Sequence, residues 1–258
     1  MSSLSDGIGK ISILEILIIL LALIGVTILF DIFEFSIGED WVYVVIILYF
    51  IYRLRIFGSG FKNDLRNIFS KISPKSLLII VIVNVFFSYG MLYLSNFALA
   101  YIPGFRDLLF TPLFSIMAFG SFGFIGGLIS TIFISPICEE LLFRGVFLNR
   151  LKIIVPTSFA IIITSILFGA LHSYGSIISA FIFGICMCII YLKTRNILTC
   201  ILAHFLNNLL AEFLVHIDTG NLIFTNDIFI VVFSVLAVLS LYLIIVSIRQ
   251  EWKYITKV

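Results

Sequence analysis

A chain of 258 residues that is 62% hydrophobic and only 12% charged, with a mean hydropathy of +1.23, lies far from soluble domains, in which about a quarter of residues are charged. The formal net charge of +2 comes without any basic domain, which excludes a nucleic-acid partner because nothing carries a phosphate footprint. A polytopic membrane protein remains, with the lipid bilayer as its solvent.

Apolar runs long enough to span a bilayer fall near residues 11–30, 41–57, 77–100, 121–143, 156–173, 175–192, 197–216 and 228–248. They predict an all-α bundle of about eight transmembrane helices, forming one integral-membrane domain over residues 1–258. The first run has the length of a spanning helix rather than of a signal-peptide core, so it is expected to be retained. Between the second and third runs, Arg53 to Lys75 reads as a solvated basic connector, with a surface helix on anionic lipid as the alternative. Residues 108–120, apolar but broken by Pro112 and Gly120, read as a re-entrant or interfacial piece that could change the count by one. With the N-terminus inside, fifteen of the sixteen Lys and Arg residues fall on the inner side, Arg144, Arg150 and Lys152 among them, and only Arg106 is left outside. This asymmetry predicts that both termini are cytoplasmic. The Ile, Phe and Asn richness hints at an AT-rich genome, hence at a prokaryotic plasma membrane.

The four cysteines, Cys138, Cys186, Cys188 and Cys200, lie in apolar segments with no CxxC pair, and read as small buried hydrophobes. Cys138 opens the stretch on which the function turns. Glu139, Glu140 and Arg144 interrupt the fourth apolar run, where an ionised side chain costs roughly 2.5–3.5 kcal/mol on the lenient insertion scale. Glu140 and Arg144 are four apart, so on a helix they neighbour each other and neutralise one another. Glu139 points to another face and needs a reason of its own. A purely structural pair of glutamates in wet headgroup territory is the plain alternative.

The chain has three histidines, His172, His204 and His216, all within or at the ends of the apolar segments that follow Glu139. His204 and Asn208 are spaced i, i+4 and share a helical face. A lone membrane histidine more often bonds a neighbouring carbonyl than catalyses. Glu139, His172, His204 and Asn208 together, on three helices, are a set that can activate water: the carboxylate takes a proton, and histidine and asparagine donate to an oxyanion. No metal is assigned; if a divalent metal such as zinc is used, Glu139, His172 and His204 are the ligands to expect, although the HExxH helix is absent. Glu212 and His216 continue the same stripe and read as structural. On a simple in-out count Glu139 lies near the inner end of its helix and His172 near the outer end of the next. Three devices could bring them to one depth: a bend at Pro136, a fourth helix running on to about Leu151, or a Ser173–Ser176 turn sunk below the outer surface.

Glu139-Glu140-x-x-x-Arg144, Phe168-x-x-x-His172 and His204-x-x-x-Asn208, in that order over about residues 121–215, resemble the three motifs of the CAAX protease and bacteriocin-processing (Abi) family of intramembrane proteases, which includes the type II CAAX prenyl endopeptidase. The resemblance implies that Glu139 activates water, that Glu140 and Arg144 prop its helix, and that His172, His204 and Asn208 line the site and stabilise the oxyanion. It implies an intramembrane endopeptidase whose partner is a membrane-associated or lipidated peptide: a prenylated tail, a pheromone precursor or a bacteriocin leader. The competing reading is a non-proteolytic immunity or regulatory protein that binds a peptide or sensor. A small solute carrier ranks last, because no inverted repeat is evident.

Overall fold

The computed structural model describes residues 4–35, 41–54, 59–99, 123–218 and 226–255. The 108–120 segment lies outside the described residues, as do Arg55, Arg106 and Lys257. Every described element is helical. A short helix α1, Leu4–Ile8, precedes α2, Ile13–Ile32, which starts where the Ser12 hydroxyl accepts a hydrogen bond from the Leu14 N–H at 3.2 Å. There follow α3, Trp41–Leu54, a short α4, Ser59–Arg66, and α5, Pro74–Leu99.

The chain from Gly123 to Ile154 then forms one continuous helical rod, α6, through the segments Gly123–Ile129, Ser130–Ile134, Ser135–Glu140, Leu141–Phe147 and Leu148–Ile154. The second and fourth of these are π-turns, with i→i+5 hydrogen bonding, a rare geometry that recurs at functional sites. The remaining helices are α7, Thr157–Ala170, α8, Ile177–Thr194, α9, Ile197–Ile217, and α10, Asp227–Ile255.

Six described helices are long and apolar enough to cross a membrane: Ile13–Ile32, Pro74–Ser95, Ile125–Ile154, Ile177–Thr194, Ile197–Ile217 and Asp227–Trp252. The chain is therefore a multi-pass membrane protein. Two further apolar runs fold as shorter helices, α3 and α7, of 14 residues each, or about 21 Å at 1.5 Å per residue. The expected fourth helix is longer than its apolar run suggested, because α6 continues to Ile154. Glu139 thus lies near the middle of a 30-residue span rather than at its end. Arg144, counted by sequence among the inner-side charges, is fully buried in the bundle.

Close approaches set how the helices pack. A Cβ on Gly90 would lie 2.1 Å from Ala237 Cβ and 2.4 Å from the Phe233 carbonyl oxygen, so α5 and α10 pack at a distance that only glycine permits. Tyr89 of α5 donates to the Ala211 carbonyl of α9 at 2.9 Å. A Cβ on Gly184 of α8 would lie 3.1 Å from Ser165 Cα and Cβ of α7.

The supposed connector after α3 is a structured element, and so is the N-terminal segment. Asp64 on α4 is almost completely buried and accepts from the Leu4 N–H at 2.8 Å. Its own backbone carbonyl accepts from Asn196 Nδ2 at 2.7 Å, while Ser5 Oγ accepts from the Ile197 N–H at 3.0 Å. Burial pushes the Asp64 carboxyl above the usual carboxylate range, against the pull of the Leu4 and Ser5 backbone. Ile8 and Ile11 are sealed from solvent, and Arg150 near the end of α6 donates to the carbonyls of Ile11 and Lys10.

Candidate active site

The site is built along α6 and begins with a consequence of Pro136. In the first π-turn the Ser135 N–H bonds to the Ser130 carbonyl, five residues back. In that register the next donor would serve the Thr131 carbonyl, but proline has no N–H. A carbonyl freed inside a bundle must find another partner, and Asn208 Nδ2 of α9 donates to it at 2.9 Å. The asparagine of the third motif is thereby tied to the helix carrying the first. Ser135 is buried, and its hydroxyl donates to Oε1 of Glu139, one turn on.

The pair expected of Glu140 and Arg144 is present, and it reaches further than one helix. Both side chains are fully buried, with Arg144 Nη1 donating to Glu140 Oε1 at 2.9 Å. Arg144 Nη2 donates to the Gly184 carbonyl of α8 at 3.2 Å, and its guanidinium lies 4.4 Å from the centre of the Phe168 ring of α7. Glu140 Oε1 also bonds His204 Nδ1 of α9 at 2.9 Å. One ion pair therefore joins four helices, and removing one partner of such a pair costs about 3–5 kcal/mol.

His204 sits between the two glutamates. While Nδ1 meets Glu140, Nε2 lies 3.9 Å from Oε2 of Glu139, too far for a direct hydrogen bond and suited to one water bonded to both. That Glu139 oxygen is buried and has no hydrogen-bond partner among the described residues. Two aromatic rings wall the imidazole, Phe183 at 4.9 Å and Phe168 at 5.9 Å between centroids.

His172 comes to the same wall. Its ring centre is 4.7 Å from that of Phe168, and its Nδ1 bonds the Phe168 carbonyl at 2.8 Å. Among the described contacts it makes no ion pair with Glu139. Of the three devices for bringing His172 and Glu139 to one depth, the longer helix is present: α6 runs on to Ile154, while α7 ends at Ala170 and is followed by a turn at Tyr174–Ser176. Glu212 and His216 lie further along α9, where His216 Nδ1 bonds the Glu212 carbonyl at 2.8 Å and the ring is exposed.

Residues 121–210 match the Rce1-like family model, described as type II CAAX prenyl endopeptidase Rce1-like. This segment resembles that family. It is roughly a third of the chain and holds all three motifs, so the match falls on the helices that build the site. No curated protein and no solved structure matches the chain. For the matched segment a metal was the open question. Two imidazoles and a carboxylate are the right donor types, but among the described residues no three His, Cys, Asp or Glu side chains come together as a metal-ligand set. The chemistry below is derived from the side chains alone. Sequence reasoning missed Ser135 and the Thr131 carbonyl, although the i, i+4 spacing to Glu139 and the donor missing at Pro136 were both readable signals.

Proposed function

We propose that the chain is an intramembrane endopeptidase that hydrolyses a peptide bond in a membrane-associated or lipidated peptide, using water activated by Glu139. The carrying observation is the facing pair Glu139 Oε2 and His204 Nε2, 3.9 Å apart inside the bundle, on a segment that matches a CAAX endopeptidase family. A water between them gives its proton to Oε2 as its oxygen attacks the scissile carbonyl carbon. The proton then passes from Glu139 to the leaving nitrogen as the C–N bond breaks, giving a carboxyl terminus and a free amine. Asn208 spends one amide N–H on the Thr131 carbonyl and keeps the second for the oxyanion. His172 and His204 have their Nδ1 atoms engaged, so each presents Nε2 to the site.

The same contacts support a bilayer arrangement. The N-terminal segment, α4, the end of α6 and the α8–α9 turn meet through Asp64, Ser5, Arg150 and Asn196. Lys193 at the end of α8 pairs with Glu251 near the end of α10 at 2.5 Å. Segments held together at one end of the bundle are separated by even numbers of crossings. This supports α3 and α7 crossing in pairs with α2 and α8, eight spans in one integral-membrane unit, and both termini inside. A bilayer thins locally around short spans at modest cost. The prokaryotic plasma membrane is the setting that the composition favours.

The test compares new N-termini and membrane peptides in host cells carrying the wild type, a deletion, or Glu139→Gln at matched abundance. The expected result is a cleavage product present with the wild type and lost in the other two. A deletion phenotype fully rescued by Glu139→Gln would replace hydrolysis with the non-proteolytic partner role.

A further inference from the structure

The last helix, α10, presents a face that the candidate active site does not use. Val246, Arg249 and Gln250 are spaced i, i+3 and i+4, so they form one ridge along it. Glu251 lies on another face, where it pairs with Lys193. Among the described residues the exposed guanidinium of Arg249 makes no hydrogen bond or ion pair. α10 is fastened at two places, at Ala237 against Gly90 of α5 and at Glu251 against Lys193 of α8, about 21 Å apart along the helix at 1.5 Å per residue. On the flank toward α7 it leaves an open groove of about 780 Å³. Ile162 of α7, Phe181 and Ile185 of α8 and Val246 line this groove, and Trp252 stands at its rim. Phe181 is about 18 Å along α8 from Lys193, so the groove runs lengthwise down the bundle. Its polar lining is confined to one end, at Arg249 and Gln250.

We propose that this groove seats one anionic phospholipid, with its phosphate on Arg249 and Gln250 and one acyl chain laid against Ile162, Phe181 and Ile185. The lining divides as such a molecule divides. A guanidinium grips phosphate oxygens in a fork, the Gln250 amide adds a neutral donor, and an indole at the rim suits the depth of the headgroups. The rest of the groove is apolar, which accepts a hydrocarbon chain and would leave the backbone groups of an extended peptide unpaired. The charge of Arg249 selects the headgroup. With Glu251 already held by Lys193, a net negative lipid neutralises the cation, whereas a zwitterionic one brings a positive charge of its own. The site does not rest on the peptidase reading.

The chain has two tryptophans, Trp41 and Trp252, so Trp41→Phe leaves a single reporter at the rim of the groove. The full-length protein is placed in phosphatidylcholine bilayers holding rising fractions of phosphatidylglycerol with dibrominated chains, which quench an indole they touch. Quenching against composition then gives the binding of phosphatidylglycerol relative to phosphatidylcholine. At Trp252 the ratio should be about fivefold, the order expected of one basic side chain near a lipid surface. At Trp41, read in Trp252→Phe, it should be near one. Arg249→Gln in the Trp252 reporter should bring the ratio there to about one. Ile185→Phe, which fills the groove and leaves the charge in place, should lower it as well. A ratio near one at Trp252, or a preference that survives Arg249→Gln, overturns the proposal. A preference unchanged by Ile185→Phe would show attraction to the charged surface alone and overturns the seat in the groove. If Arg249→Gln fails to fold, the ratio in the Trp252 reporter and its response to Ile185→Phe decide. No cleavage is measured, so the result stands whatever becomes of the peptidase reading.

Discussion

Ser135 sets the orientation of Glu139 by taking one of its oxygens and leaving the other to face His204. A hydrogen bond to a charged group is worth about 1.5–3 kcal/mol, so Ser135→Ala should lower kcat about 10- to 100-fold, and Ser135→Thr, which keeps the hydroxyl, should restore most of it. Equal loss in both variants, measured on a cleaved peptide, would show that packing rather than the hydroxyl matters. At this scale the sequence was a good guide to which residues meet. Glu140 and Arg144 pair as their spacing required, and Asn208 is drawn to the motif-bearing helix. What spacing could not supply was the partner of each polar atom. That Glu140 reaches His204, 64 residues away, is a fact of tertiary packing that no local period encodes.

Among the elements, α6 carries the strongest constraints. A Cβ added at Gly145, in its second π-turn, would come within 2.4 Å of Ile8 Cγ2. Overpacking of this kind costs about 1–3 kcal/mol, and truncating a buried isoleucine about 2–5 kcal/mol. Gly145→Ala and Ile8→Ala should each lower the unfolding temperature in detergent, while the double variant should lose less than the sum, because removing Ile8 makes room for the new methyl. Strict additivity would mean that the two positions do not touch. The apolar run announced this helix, but its end was misplaced by about ten residues. Arg144, Arg150 and Lys152 read as inner-side charges, with extension to about Leu151 as one of three open devices, and the packed helix carries them on to Ile154. Asn149 Nδ2, for example, donates to the Gly145 carbonyl at 2.8 Å and to the Tyr191 hydroxyl at 2.6 Å. The π-turns were not legible either, since no residue pattern distinguishes i→i+5 from i→i+4 bonding.

For the whole molecule the arrangement in the bilayer can be read with a thiol reagent that does not cross membranes, because all four native cysteines are buried. Lys62→Cys and Arg195→Cys, both at exposed positions, should react only after the membrane is opened, whereas Glu34→Cys, exposed beyond the end of α2, should react in intact cells. Labelling of Arg195→Cys from outside would break the even pairing of crossings. Hydropathy placed the helices at this scale because bilayer thickness acts on each run separately; the clamp where the N-terminal segment, α4 and the α8–α9 turn meet was invisible because it is assembled from residues 60 to 192 positions apart. That clamp imposes an order in time. Residues 4–11 are synthesised before any of α6, and well before Ile197, yet they make hydrogen bonds with Arg150 of α6 and with Ile197. On an arrested nascent chain that stops short of α9 the Ser5 hydroxyl lacks the Ile197 N–H, and this stretch should be cut readily by an added protease. Once α9 has entered the bilayer, the same residues should become resistant, so closure of the inner end is among the last events in the birth of the molecule.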